Sequence, residues 1–248
     1  MKTPMISVTL RTLFVLLVIP AVASCAPLTD AGAAAHTAVP VPKVDAPLAS
    51  RSGNATAVLA GGCFWGMQWV FEHVPGVVNV TSGYSGGAAT TAAYGQVSEG
   101  DTGHAEAVRI TYDPSRVTYG QLLRVYFSVA TDPTELDRQG PDTGTQYRGV
   151  VFYADPEQQE VAKAYIAQLG AAHVFARPIV TQLVPLKAFY PAENYHQDYA
   201  RLHPDALYIA INDAPKVAAL QRELPDLYRA QPVVWHDATS NVITVDLH

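Results

Sequence analysis

From about residue 57 onward, apolar and polar positions follow two periods, and the places where the period changes mark the predicted elements. AVLAGG (57–62) is a short apolar run ending in glycines and predicts a strand. Over 64–74, Trp65, Trp69 and His73 recur at helical spacing, and Pro75-Gly76 stops the helix. Strands are predicted over 77–83 and 104–112, with a Gly/Ala/Thr loop between them. Thr118 is placed to cap a helix reaching 130, whose apolar side carries Leu122, Leu123, Tyr126 and Phe127. A strand at 149–153 precedes Asp155-Pro156, which opens a helix ending near Gly170, with proline in its first turn and glycine at its end. A strand over 179–184 and a helix over 192–202 follow. Beyond Pro204 the pattern weakens, and 232–247 is expected to add an edge strand or a tail. Hairpin and crossover spacings interleave, which predicts an α/β two-layer sandwich, a mixed β-sheet packed on one side by helices.

Upstream of residue 57 the pattern is different. Lys2 and Arg11, the apolar run 13–22 and the small residues after it form a secretory signal over 1–24, too short to span a bilayer. VASC (22–25) matches a bacterial lipobox, so Cys25 is expected to be lipidated and to become the mature N-terminus; plain cleavage after a small residue is the alternative. Residues 25–56 then read as a Pro/Ala-rich flexible linker between that anchor and a catalytic domain over 57–203, with 204–248 as a C-terminal extension. Ala26 after Cys25, in place of the aspartate that retains lipoproteins at the inner membrane, points to a periplasm-facing position on the outer membrane.

Composition narrows the partners. The 248 residues are 49% hydrophobic with a formal charge of −6 and no basic stripe, which argues against nucleic acid. A core of this size needs neither disulfide nor metal, and no cluster of His, Cys and acidic residues has zinc-ligand spacing.

The candidate chemistry centres on Cys63, one of two cysteines. It sits between a strand and a helix N-terminus, where backbone N–H groups favour the reactive thiolate. The glycines beside it leave room for a substrate, and Phe64 and Trp65 place aromatics by the sulfur. A buried structural thiol is the alternative. On the strand 104–112, alternation puts Glu106 on the face of Val108, Ile110 and Tyr112, where desolvation would hold it protonated as a proton donor; a solvent-facing glutamate is the competing placement. The long polar loop 132–149 carries Tyr147, which with Tyr94 could donate hydrogen bonds to a substrate oxygen, although tyrosines more commonly serve in packing. His104 or His196 paired with Cys63 would instead make a peptidase or acyltransferase.

Several ordered motifs over 57–202 carry a resemblance: GCFWG (62–66), GYSGG (83–87), YGQVSEGDTGHAEAV (94–108), YDP (112–114), DPT (132–134), DRQGPDTGTQYR (137–148) and AENYHQDY (192–199). Together they resemble the A-type peptide methionine sulfoxide reductases. The resemblance implies a ferredoxin-like-related α/β fold and reduction of the S epimer of methionine sulfoxide, in oxidised proteins or free. It implies that Cys63 is the nucleophile, passing through a sulfenic acid, and that Glu106 is the acid. Tyr94 and Tyr147 would bind the oxygen, Phe64 and Trp65 would hold the methyl group, and Asp142 would belong to the same pocket. No metal or organic cofactor is implied, only an external thiol such as a thioredoxin-like or glutaredoxin-like protein. The chain departs from the family pattern in lacking cysteine over 204–248, where many members carry resolving cysteines. Ser98 stands where some relatives have cysteine, Thr131 where His is usual and Gly149 where Ser is usual. A peptidase or acyltransferase, or a surface lipoprotein that binds without turnover, are the competing functions.

Overall fold

The computed structural model describes residues 39–237 and the backbone of residues 243 and 244. The signal segment 1–24, Cys25 and residues 26–38 of the expected linker lie outside the described residues.

Seven strands form one mixed sheet. They are β1 (Ala55–Ala60), β2 (Val77–Ser85), β3 (Ala105–Tyr112), β6 (Val150–Tyr153), β7 (Gln182–Pro185), β8 (Ala188–Pro191) and β9 (Ile243–Thr244), while β4 (Arg138–Gln139) and β5 (Asp142–Thr143) make a separate small hairpin. The sheet order is β7-β6-β1-β3-β2-β8-β9. All neighbours are antiparallel except β6 and β7, whose parallel pairing is made possible by the crossover helix α4 (Pro156–Ala171). Alternation along the strands divides the core. Leu59, Val80, Val108, Ile110 and Val151 face the helices, while Val58, Ala60, Ala105, Ala107 and Phe152 form a smaller cluster on the opposite face with Leu186 and Phe189. The helical layer is built by α1 (Phe64–Glu72), α3 (Tyr119–Val125), α4 and α6 (Ala214–Glu223), with the single turns α2 (Tyr94–Val97) and α5 (Tyr199–Leu202) on the loops.

Local chemistry explains the boundaries. Thr118 and Gln121 form a reciprocal capping box at the start of α3, and Asp155 caps α4 through the Gln158 amide at 2.8 Å. The last turn after α3, Tyr126–Ala130, widens to a π-helix, and the Tyr126 hydroxyl donates to the Ala60 carbonyl at 2.7 Å. That bond ties the helix to the end of β1, just ahead of Cys63.

Three sequence expectations change. Residues 39–54 are not a free linker: Val39 is fully buried, and the strap is held by Val39 N–H to Ser128 Oγ at 3.1 Å, Arg124 Nε to Val39 O at 2.9 Å and the Tyr165 hydroxyl to Pro40 O at 2.6 Å. Its Pro/Ala composition lacks a hydrophobic pattern of its own, and polar side chains of α3, the π-turn after it and α4 supply its partners instead. The helix expected over 192–202 is interrupted: a 3₁₀ turn (Asn194–His196) is followed by extended Gln197 and by Asp198 at φ 56° before α5. Gln197 leaves helical geometry because its buried amide accepts from Ser82 N–H at 2.9 Å and donates to Ser82 O at 3.0 Å. Beyond Pro204, where the pattern fades, the chain forms a π-turn (Ile209–Asp213) and α6, which buries only Ala219 and Leu220. At the far end β9 pairs with β8 as an edge strand.

Candidate active site

Cys63 occupies the N-cap of α1, delivered there by two glycines that the packing requires. Gly62 has φ +99°, and a β-carbon on it would lie 2.7 Å from Gln139 Cβ. Gln139 is itself fixed across the loop, accepting from Asp132 N–H at 2.9 Å and donating to Asp132 O at 2.6 Å. The strand end, the loop 132–149 and the helix start therefore meet at the cysteine.

Glu106 lies on the helix-facing side of β3 and is 3% exposed. Its Oε2 accepts from the Phe64 N–H at 3.0 Å, one residue from Cys63. That bond favours ionisation, but burial outweighs it, and the neighbouring charges of Asp142 and Asp213 add to burial, so the carboxyl is pushed up to about 8. Glu106 is a neutral acid at neutral pH. With Oε2 accepting a hydrogen bond, Oε1 is the natural seat of its proton.

The thiol does not match the expectation of a helix-stabilised thiolate. The Trp65 N–H does favour the charged form, but burial, followed by the charges of Glu106 and Asp213, pushes the Cys63 thiol well above its ordinary value. The resting site holds a thiol and a carboxylic acid side by side, both protonated.

Aromatic rings enclose this pair. Phe64 is fully buried, 5.0 Å between centroids from His196 and 5.8 Å from Tyr84. Trp65 stacks on Tyr199 at 4.0 Å, meets the edge of Tyr208 at 6.2 Å and donates its indole N–H to His196 Nδ1 at 3.2 Å. Tyr94, on α2, packs against His196 with ring centroids 4.5 Å apart. Glu193 holds that turn against the sheet, accepting from Tyr94 N–H and from the Tyr84 hydroxyl, each at 3.0 Å. Tyr147 ends a 3₁₀ turn that the Arg148 guanidinium fastens to the carbonyls of Gly103, His104 and Thr145. Burial first, and then the charge of Glu106, raises the pKa of both the Tyr94 and Tyr147 hydroxyls, so both remain donors. Asp142, on β5, accepts a hydrogen bond from the Tyr208 hydroxyl, which joins the loop to the wall beside Trp65.

The histidines do not serve Cys63 as bases. His104 Nδ1 accepts from Gly87 N–H at 3.2 Å and its Nε2 lies 2.9 Å from Ala88 O, so both ring nitrogens are spent on the loop after β2. His196 is in the site, but Trp65 occupies its Nδ1 and burial lowers its pKa; it is a neutral member of the aromatic wall. Among the described residues no group of His, Cys, Asp and Glu could hold a metal ion, and no helix is long and apolar enough to cross a membrane.

Sequence reasoning missed Tyr199 and Tyr208 as wall residues, Glu193 as the brace of Tyr94, and the buried Asp213. Tyr199 and Glu193 lie inside AENYHQDY, which offered a signal, whereas Tyr208 and Asp213 lie where periodicity is weak.

Comparison with known proteins accords with this geometry. The family model described as peptide methionine sulfoxide reductase matches residues 55–227. The chain is 57% identical over 188 residues to peptide methionine sulfoxide reductase MsrA 2 of Mesorhizobium japonicum, covering 76% of this chain and 96% of the relative. It is 47% identical to MsrA 2 of Synechocystis, over 78% of this chain and 91% of the relative. Among solved structures, methionine sulfoxide reductase A of Corynebacterium diphtheriae matches with TM-score 0.53 and 35% identity, over 68% of this chain and 85% of that one. Mxr1 from Saccharomyces cerevisiae in its reduced form matches with TM-score 0.56 and 30% identity, over 66% of this chain and 92% of that one. The chain belongs to the A-type peptide methionine sulfoxide reductase family.

Proposed function

We propose that this chain reduces methionine S-sulfoxide, in oxidised proteins and as the free amino acid, with Cys63 as nucleophile and Glu106 as acid. The observation that carries the reading is the buried, neutral Glu106 bound to the Phe64 N–H beside the Cys63 thiol. A sulfoxide offers an electrophilic sulfur and an oxygen that leaves only when protonated. Cys63 sulfur attacks the sulfoxide sulfur, Glu106 delivers its proton to the oxygen, and the S–O bond breaks. The departed hydroxide then adds to the Cys63 sulfur, and the S–S bond formed in the attack breaks, leaving a sulfenic acid on Cys63 and releasing the substrate as methionine. Cys63 loses the two electrons that the substrate sulfur gains, and the proton released by the thiol replaces the one Glu106 gave. Tyr94 and Tyr147 hydrogen-bond the oxygen as charge develops on it. Phe64 and Trp65 hold the methyl group, and Asp142, through Tyr208, fixes the wall.

Cys63 is reset by an external thiol, for which a thioredoxin-like or glutaredoxin-like protein is the proposed donor. One thiol condenses with the sulfenic acid, expelling water and leaving a mixed disulfide, and a second thiol releases Cys63. With racemic methionine sulfoxide peptide and excess dithiol, the S epimer should be consumed and the R epimer left, as chiral chromatography would show. Persistence of both epimers would overturn the reading.

The anchor belongs to the same proposal. The charged start, the apolar run 13–22 and VASC support export, removal of 1–24 and acylation of Cys25, which would place the catalytic domain, with Tyr208 and Asp213 in its site, on the periplasmic side of the outer membrane. Intact mass of the membrane-extracted protein should show the chain from Cys25 carrying acyl groups; a free Cys25 thiol would exclude the anchor.

A further inference from the structure

The final glycine of GCFWG has a reason that neither the attack nor the proton transfer uses. A β-carbon on Gly66 would lie 2.0 Å from Asp213 Oδ1, 2.6 Å from its Cγ and 3.1 Å from Lys216 Nζ. Gly66 is in the first turn of α1, three residues after Cys63, and the missing side chain is the space into which a carboxylate and an ammonium fit. Asp213 is completely buried between the π-turn and α6, its Oδ1 is 3.2 Å from Lys216 Nζ, and among the described residues its Oδ2 has no hydrogen-bond partner. Burial pushes the Asp213 carboxyl above its ordinary value, the Lys216 ammonium opposes that rise and holds the charge, and the unsatisfied oxygen is a cost to the fold.

We propose that the Asp213–Lys216 ion pair, seated under Gly66, is a positioning pair that sets how readily Cys63 gives up its proton. The proposal rests on the reading of Cys63 as the attacking sulfur and adds a control on it. Asp213 opposes a second negative charge on the cysteine and on Glu106, keeping the resting site protonated and sparing the thiol from stray oxidants. Lys216 acts in the opposite sense, compensating the thiolate when Cys63 departs from the mixed disulfide. The other groups acting on the sulfur are Glu106, which disfavours the thiolate, and the Trp65 N–H, which favours it; the hydroxyls of Tyr94, Tyr147 and Tyr208 in turn sense its charge.

The test is the pH dependence of Cys63 alkylation by iodoacetamide in the full chain, read by mass spectrometry on the peptide carrying Cys63, with no sulfoxide present. Asp213→Asn, nearly isosteric, should move the midpoint to lower pH and raise alkylation at pH 8 by about threefold or more, since each unit is worth tenfold in thiolate below the midpoint. Lys216→Met should move the midpoint up. The double variant, which restores the wild-type net charge, should return it towards the wild-type value. Opposite shifts that cancel are a signature of charge, which a packing role does not produce. An unmoved midpoint in Asp213→Asn, or shifts of the same sign in all three variants, would overturn the proposal; if Asp213→Asn fails to fold, Lys216→Met and the double variant still decide it. Failure of the wild type to reduce sulfoxide would count against the proposed function and leave this titration interpretable.

Discussion

Replacing Cys63 by Ser is expected to leave the fold intact and to reduce sulfoxide turnover at least about 10⁴-fold, the scale on which loss of a nucleophile ordinarily acts. Cys63 is 7% exposed, and serine differs from it by one atom at a position whose backbone is set by Gly62, Gln139 and the Phe64–Glu106 bond. The loss follows from electron counting. The substrate sulfur must receive two electrons, and a thiol can supply them because sulfenic acid is an accessible oxidation state. A serine oxygen has no comparable state, so raising the pH to ionise it should not restore turnover. The complementary result belongs to the wild type without reductant. Cys63 is the single cysteine after residue 25, so one methionine should form per chain, with one added oxygen on Cys63 trapped by dimedone. Turnover by Cys63→Ser, measured with circular dichroism matching the wild type, would remove Cys63 from the reaction.

The parts of this site that could be read from the chain are those whose neighbours lie close in sequence or follow a strict period. GCFWG announces itself because the glycines, the cysteine and the helix start are contiguous. Alternation set Glu106 on the face of Val108 and Ile110 against a competing solvent-facing placement; the fold buries it on that face, and burial gives the sign of its pKa shift. The same local view misjudged the thiol: a helix N-terminus favours thiolate, but it could not weigh the burial or the Asp213 charge brought in from about 150 residues away. Tyr208 and Asp213 enter the site only because the π-turn folds back onto α1, and no periodicity encodes that contact. The interruption at Gln197 is of the same kind, since the amide's partners sit on β2. The strap at 39–54 was hidden for the opposite reason. Its own residues are nearly featureless, its partners Arg124 and Gln168 look like ordinary solvent-facing helix positions, and Tyr165 reads as one more residue of the buried face of α4, with nothing to show that its hydroxyl holds the strap.

Replacing Glu106 by Gln should separate activity from stability, lowering the first and raising the second. The amide is isosteric, its oxygen can still accept from the Phe64 N–H, and the pocket around it is unchanged. What it lacks is a proton acidic enough to give to the sulfoxide oxygen, so the single-turnover rate should fall by about 10² to 10⁴, the range of general acid catalysis. Stability should move the other way for a reason of sign. The carboxyl is pushed up to about 8 in the fold from an ordinary value of 4.5, so between those pH values the unfolded chain releases a proton that the folded chain keeps. Folding stability of the wild type therefore declines as pH rises from about 4.5 to about 8, and the penalty is complete above it. The substituted amide never ionises and escapes the decline, which makes Glu106→Gln more stable than the wild type at pH 8 by on the order of a few kcal/mol, while the two converge near pH 4. Urea unfolding of both chains across that range measures the difference, and quenched-flow turnover of stoichiometric sulfoxide measures the rate. A slower variant with no gain in stability at pH 8 would mean that the carboxyl is already ionised in the fold, and a more stable variant with an unchanged rate would mean that the proton comes from elsewhere. Slower and more stable together locate the acid at Glu106, in a chain that accepts the cost of holding a buried carboxyl neutral beside a thiol.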